Sequence, residues 1–114
     1  MTATLYCLSL VMYMEASIQS EYTKRLVASV VIERAKQEDK SICKSIKTRG
    51  AYSWMWDGRR TKVDQKVLHK LHHISAQELF QPTITGRYFF NECTLGKRWK
   101  TKYKMIRSEK LCFY

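Results

Sequence analysis

Read for apolar spacing, the chain opens with Leu5, Leu8, Val11 and Met12 at intervals of three and four, which predicts a helix packed on a core. Tyr6, Cys7, Leu10, Tyr13 and Met14 occupy most of its other sides, so the helix is expected to be largely buried. Glu15 continues the stripe of Leu8, Val11 and Met12, which places a carboxyl at the end of an apolar face. Ser20 is a candidate N-cap for a second helix running to about Lys36, with Glu21 at its positive end and Leu26, Val27, Val30, Val31 and Ile32 forming a broad apolar face. A short helix over Ser41 to Ile46 follows, then an aromatic loop from Gly50 to Gly58. Val63, Val67, Leu68, Leu71, Ile74 and Leu79 predict one longer helix that ends before Pro82, because proline breaks the helical hydrogen-bond ladder. Beyond it, Arg87 to Phe90 and Leu111 to Tyr114 are short aromatic-rich runs suited to strands, separated by a basic stretch from Gly96 to Lys110. The expected fold is α+β, mainly helical, with a small antiparallel β-sheet.

Composition narrows this picture. With 114 residues, 45% of them hydrophobic, the chain can bury one core. Four glycines, one proline and no linker or repeat favour a single domain over residues 1 to 114. A formal net charge of +11 favours an acidic target, and nucleic acid, anionic membrane and cell-wall polymers all satisfy it. The apolar run from Ala3 to Met14 has no basic residues before it and no small-residue cleavage site after it, and it is too short to span a bilayer. It reads as a core helix in a protein made in the cytoplasm without a signal peptide. Cys7, Cys43, Cys93 and Cys112 are scattered with no C-x-x-C pair, which excludes the usual zinc and redox spacings and leaves free thiols as the expectation.

Several residues could carry chemistry. A carboxyl pressed against apolar groups keeps its proton to higher pH, which general acid catalysis of glycoside cleavage requires, and Glu15 is the residue placed for it. A glutamate at a helix end is equally a solvated or lysine-paired group. Tyr52, Ser53, Trp54, Trp56 and Asp57 have the composition of a sugar-binding wall, although tryptophans also fill cores and aspartate also forms turns. Strand alternation would put Tyr88 and Phe90 on one face, with Asn91 just beyond as a partner for an acetamido group or simply as a turn residue. His69 and His73 share a helix face with His72 beside them, yet no H-E-x-x-H pattern accompanies them and no metal site is expected. Lys97, Arg98, Trp99, Lys100, Lys102, Tyr103 and Lys104 interleave charge with aromatics, as a single-strand nucleic-acid groove does. No glycine-rich phosphate loop or zinc-finger spacing supports that partner, and an anionic wall polymer would be drawn by the same charges.

Taken in order, these pieces resemble a known pattern. Met14, Glu15, Ala16, Ser17, with Glu21 further on, are similar to the Glu-Ala-Arg motif that opens the catalytic domain of the SleB-type spore cortex-lytic, cell wall hydrolase family. Val27 to Arg34 resembles that family's second-helix run, with Glu33 where asparagine is usual, and Cys43 falls where the family often has a cysteine. Tyr52, Ser53, Trp54 look like its Phe-Ser-Trp segment, Gly86 to Asn91 like its aromatic strand, and Phe113, Tyr114 like its closing pair. Ser17 in place of arginine and Leu111 in place of a histidine are departures that bear on the fine structure of the groove. The resemblance implies a lysozyme-like domain that cleaves between N-acetylmuramic acid and N-acetylglucosamine, without a cofactor, by lytic transglycosylase chemistry. On this mapping Glu15 is the acid/base, Ser53 a polar neighbour able to orient it, and Trp54, Tyr88 and Asn91 line the glycan groove. The partner would be peptidoglycan, met by a monomer, with the basic surface adding affinity for anionic wall or outer-membrane polymers and nucleic acid not required. A bacteriophage endolysin, released to the wall from the host cytoplasm, fits such a chain.

Two alternatives stand beside this reading. A muramidase-type hydrolase would need a second carboxylate to activate water, with Glu21, Glu33 and Asp57 as candidates. A non-catalytic basic module binding nucleic acid or an anionic surface would account for the charge alone.

Overall fold

The computed structural model describes residues 2–48, 51–95 and 104–114. Helix α1 (Ala3–Ala16) starts where the Thr2 side chain accepts the Leu5 backbone N–H. Cys7, Leu8, Leu10, Val11, Met12 and Ala16 are all buried along it, and it runs as a central rod with apolar contacts on nearly every side. Helix α2 (Glu21–Gln37) is capped by Ser20 and carries Glu21 in its first turn and Arg34 and Lys36 in its last, each at the dipole end that suits its charge. Helix α3 (Ile42–Ile46) follows, capped by Ser41. These three helices fall where the apolar spacing predicts them.

The predicted long helix is instead two: α4 (Gln65–Lys70), capped by Asp64, and α5 (His72–Phe80), parted at Leu71. There the Leu71 N–H reaches back three residues to the Leu68 carbonyl rather than four. The tighter turn brings residues three apart into line, so Leu68, Leu71 and Ile74 are all buried on one side. A buried hydroxyl pair, Ser9 with Ser75 at 2.7 Å, joins α5 to α1. Glu78, 2% exposed, accepts from Ser29 of α2 at 2.7 Å and from the Thr83 N–H and hydroxyl at 2.9 and 2.7 Å, and it pairs with Arg25 at 3.3 Å. A carboxylate this deep is sustained because both oxygens are occupied.

The chain then forms a three-stranded antiparallel sheet, β1 (Phe90–Glu92), β2 (Ile106–Ser108) and β3 (Leu111–Phe113), in the order β1-β3-β2. The first strand lies later than the predicted Arg87 to Phe90 run; Tyr88 and Phe89 bond to Tyr114 beyond the regular ladder. β2 arises inside the stretch expected to be a basic connection. Paired residues share a face, so Phe90 with Phe113 and Glu92 with Leu111 project to one side, and Asn91 with Cys112 to the other. Leu111 and Phe113 are buried in the same core as the helices, which makes the first side the helix-facing one. The result is mainly helical α+β with one small antiparallel sheet, the layout of a lysozyme-like fold. Most of the aromatic basic segment, Lys97 to Tyr103, lies outside the described residues.

Side-chain bonds at the hairpin turn fix the sheet against the helices. Glu109, at the hairpin turn with φ 53°, accepts the Ser20 N–H and the Thr23 hydroxyl at 2.6 Å each, clamping the hairpin to the junction of α1 and α2. Those bonds, Ser20's first, draw its pKa down to about 2. Because the folded-state pKa is depressed, this clamp is in place at neutral pH and is lost as the pH falls from the ordinary glutamate range toward that value.

The cysteines correct the sequence expectation. Rather than free thiols they form two disulfides, Cys7–Cys43 between α1 and α3 and Cys93–Cys112 between the end of β1 and β3. The helix packing and the sheet register bring each pair of Cα atoms to 5.4 and 5.2 Å, within the span a disulfide bridges. Sequence separations of 36 and 19 give no local signal of this pairing. On chain entropy each crosslink stabilises by about 3 to 4 kcal/mol. Replacing Cys7 and Cys43 together by serine should therefore lower the denaturation midpoint clearly in a urea titration; an unchanged midpoint would contradict the crosslink.

Candidate functional site

Glu15 is the last-turn residue of α1, and the buried stripe beneath it dictates where its carboxyl emerges. Its side chain sits half-buried at the junction of two cavities. One, of about 280 Å³, is lined by Arg34, Ala51, Tyr52, Phe90, Asn91, Glu92 and Leu111 together with Glu15. The other, of about 270 Å³, lies toward the α1–α2 turn and is lined by Met14, Ser17, Ile18, Gln19, Glu92, Lys110 and Leu111, again with Glu15. Glu15, Glu92 and Leu111 border both. A carboxyl with room on either side is arranged to meet a bond within an extended ligand rather than the end of one.

Burial raises the Glu15 pKa above the ordinary glutamate range, and the like charge of Glu92 adds to this; the Trp54 hydrogen bond and the Arg59 charge pull the other way and do not cancel it. The indole N–H of Trp54 donates to Glu15 Oε1 at 2.8 Å. Trp54 itself is 2% exposed, held in a short 3₁₀ turn (Ser53–Met55) with its ring 5.4 Å from that of Tyr52. Trp54 thus braces the carboxyl from within the core rather than walling a groove. Trp56, 62% exposed, is the tryptophan of this loop that faces solvent.

Ser53, expected to orient Glu15, is exposed, and its hydroxyl accepts from Arg59 at 2.8 Å; the hydrogen bond to Glu15 comes from the neighbouring Trp54. Asn91 borders the first cavity. Tyr88 does not line either cavity: its hydroxyl donates to Glu38 at 3.3 Å and its ring lies 5.5 Å from the Arg34 guanidinium. Arg34 is also 5.9 Å from the Tyr52 ring and 5.8 Å from that of Phe89, a cation among three aromatic faces at the side of the cleft. Burial pushes the Tyr52 phenol far up, so it stays protonated beside Glu15.

The candidate second carboxylates lie elsewhere. Glu21 is exposed and pairs with Arg25. Glu33 accepts the Gly86 N–H at 3.1 Å, holding the turn before the sheet. Asp57 pairs with Arg59 at 2.7 Å. None of the three borders the two cavities, whereas Glu92, which sequence reasoning passed over, borders both. The alternation that groups Tyr88 with Phe90 carries on to Glu92 and was the available signal. On the helix α5 side, the His69 and His72 rings meet edge to face at 4.7 Å and His73 Nδ1 lies 2.8 Å from the Lys70 carbonyl oxygen; among the described residues no group of three His, Cys, Asp or Glu side chains is placed to hold a metal. No helix among the described residues is long and apolar enough to cross a membrane.

The fold is mainly helical α+β and lysozyme-like, and it sets a half-buried glutamate with a raised pKa between two cavities. Residues 18–114 match the family model described as Cell Wall Hydrolase, and the chain belongs to that family, whose substrate is peptidoglycan. The match begins just after Glu15, so the assignment of that residue rests on the geometry above. No curated protein and no solved structure matches the chain.

The Trp54 hydrogen bond favours the ionised carboxylate by about 1.5 to 3 kcal/mol in typical cases. Trp54→Phe keeps the ring and removes the donor, so the Glu15 pKa should rise further and the alkaline limb of activity should move to higher pH. A limb that stays in place would show that the indole N–H does not act on this carboxyl.

Proposed function

We propose that the protein cleaves peptidoglycan glycan strands between N-acetylmuramic acid and N-acetylglucosamine, as a lytic transglycosylase with Glu15 as acid and then base. The observation that carries this reading is the half-buried Glu15 carboxyl, its pKa raised by burial, at the junction of two cavities that would take the sugars on either side of the bond. The Glu15 proton passes to the glycosidic oxygen, the bond from that oxygen to C1 breaks, and the N-acetylglucosamine side departs with a hydroxyl. The 6-hydroxyl of the muramic acid then bonds to its own C1 and gives its proton to the Glu15 carboxylate, which restores the acid and closes a 1,6-anhydro ring. One group serves both steps, and the Trp54 N–H supports the carboxylate while it is charged. The formal charge of +11 supports approach to a wall rich in carboxylates and phosphates.

A general acid must be protonated to act, so a raised Glu15 pKa extends activity to higher pH than an ordinary glutamate allows, and activity is lost as the pH rises through the raised value. The linkage to stability has the same direction: a carboxyl whose folded-state pKa is raised contributes stability below its unfolded pKa and loses it as the pH rises through the folded one. Glu15→Gln should thus abolish cleavage while leaving the melting temperature at neutral pH equal to or above that of the parent. Mass spectrometry of digested peptidoglycan should show anhydromuramic ends. Reducing muramic acid ends would replace transglycosylation with hydrolysis, and a Glu15→Gln variant that cleaves as fast as the parent would remove Glu15 from the chemistry.

A further inference from the structure

Among the acidic side chains of the described residues, most are spent on the fold. Glu21, Glu33, Asp57, Glu78 and Glu109 each hold a hydrogen bond or ion pair described above. Glu92 is different: it is exposed, makes no hydrogen bond or ion pair among the described residues, and borders both cavities that meet at Glu15. Its direction follows from the sheet register. Paired with Leu111, it projects from the same face as Phe90 and Phe113, toward the helices and the C-terminal end of α1.

That placement is held firmly. Cys93, the next residue, is crosslinked to Cys112 of the neighbouring strand, and its N–H bonds to the Lys110 carbonyl at 2.9 Å. Although it projects from this face, Glu92 at the end of the edge strand β1 is exposed to water. Glu15, half-buried and bonded to Trp54, has the opposite environment. Two carboxyls with contrasting surroundings along one cleft divide naturally into one acid and one anion.

We propose that Glu92 is a second carboxylate of the reaction centre, standing ionised beside Glu15 and countering the positive charge that develops at C1 and the ring oxygen as the glycosidic bond breaks. The inference rests on the glycan-cleaving reading of Glu15. Glu92 exchanges no proton: it is an anion before, during and after the step, and Glu15 alone gives and regains a proton. Its charge acts on Glu15 as well, because a like charge nearby opposes ionisation of that acid. The other groups facing Glu15 are Trp54 and Arg59 from the aromatic loop and its continuation, Tyr52 and Arg34 at the first cavity, and Lys110 at the second. Of these, the Arg59 charge and the Trp54 hydrogen bond favour the Glu15 carboxylate, whereas the Glu92 charge opposes it.

The experiment compares the parent, Glu15→Gln, Glu92→Gln and Glu92→Asp on solubilised peptidoglycan across pH, with thermal melts to establish that each variant is folded. Glu92→Gln should lower kcat on the order of 10- to 100-fold, because a charge aimed at the transition state is lost, with KM within about twofold of the parent. Its alkaline limb should move to lower pH, since Glu15 loses the like charge that opposes its ionisation. Glu92→Asp, which keeps the charge, should restore part of kcat and return the limb toward the parent. A purely structural residue would not move the limb. If Glu15→Gln is inactive while folded Glu92→Gln keeps the parent's kcat and limb, the Glu92 inference alone is overturned. If Glu15→Gln is as active as the parent, the reading of Glu15 falls and this inference with it.

Discussion

The burial of α1 governs the molecule. A helix apolar on nearly all sides cannot rest on a surface, so α2, α3, α4 and α5 gather around it, and the packing is completed by Leu111 and Phe113 from the sheet. Glu15 is the single charged residue of that helix, and it stands in the last turn, where the sheath of helices gives way to the cleft. Its position is thus a consequence of the core. Moving it by one residue would turn it by about 100°, off the buried stripe and away from the Trp54 N–H.

The remaining parts fasten the other elements to that rod and to one another. The Glu109 clamp ties the hairpin to the α1–α2 junction, the Cys93–Cys112 disulfide locks the edge strand, and the Cys7–Cys43 disulfide fastens α3 to the start of the rod. Glu78 binds α5 and the following turn to α2 through a fully occupied carboxylate. These are polar or covalent fastenings on a small apolar core, and the Glu109 clamp and the Cys93–Cys112 disulfide hold the hairpin and the strand that carries Asn91 and Glu92 beside Glu15. Preorganisation of this kind lets a fixed acid meet a developing charge without rearrangement.

Much of this was legible in the chain. The three-and-four spacing from Leu5 to Met12 predicts α1 and places Glu15 on its stripe, and Ser20 and Ser41 mark the helix starts that are found. What the sequence conceals depends on contacts between distant segments. The disulfides need the packing of α1 on α3 and the register of β1 on β3, neither of which is encoded near the cysteines. The role of Trp54 as a buried donor, with Ser53 turned to Arg59, depends on which way a short 3₁₀ turn rolls. Leu71 interrupts a periodic run because burial of residues three apart outweighs continuation of the regular helix. Glu92 follows an aromatic run, and its pairing with Leu111 gives it a face.

The central claim is that Glu15 carries a proton where ordinary glutamates do not. Carboxyl ¹³C NMR of the intact, disulfide-bonded protein, with Glu15 assigned through the Gln variant, measures this directly. The account predicts a Glu15 titration midpoint above the usual glutamate range, with Glu109 titrating near 2 in the same spectra. A Glu15 midpoint at or below the usual range would contradict it.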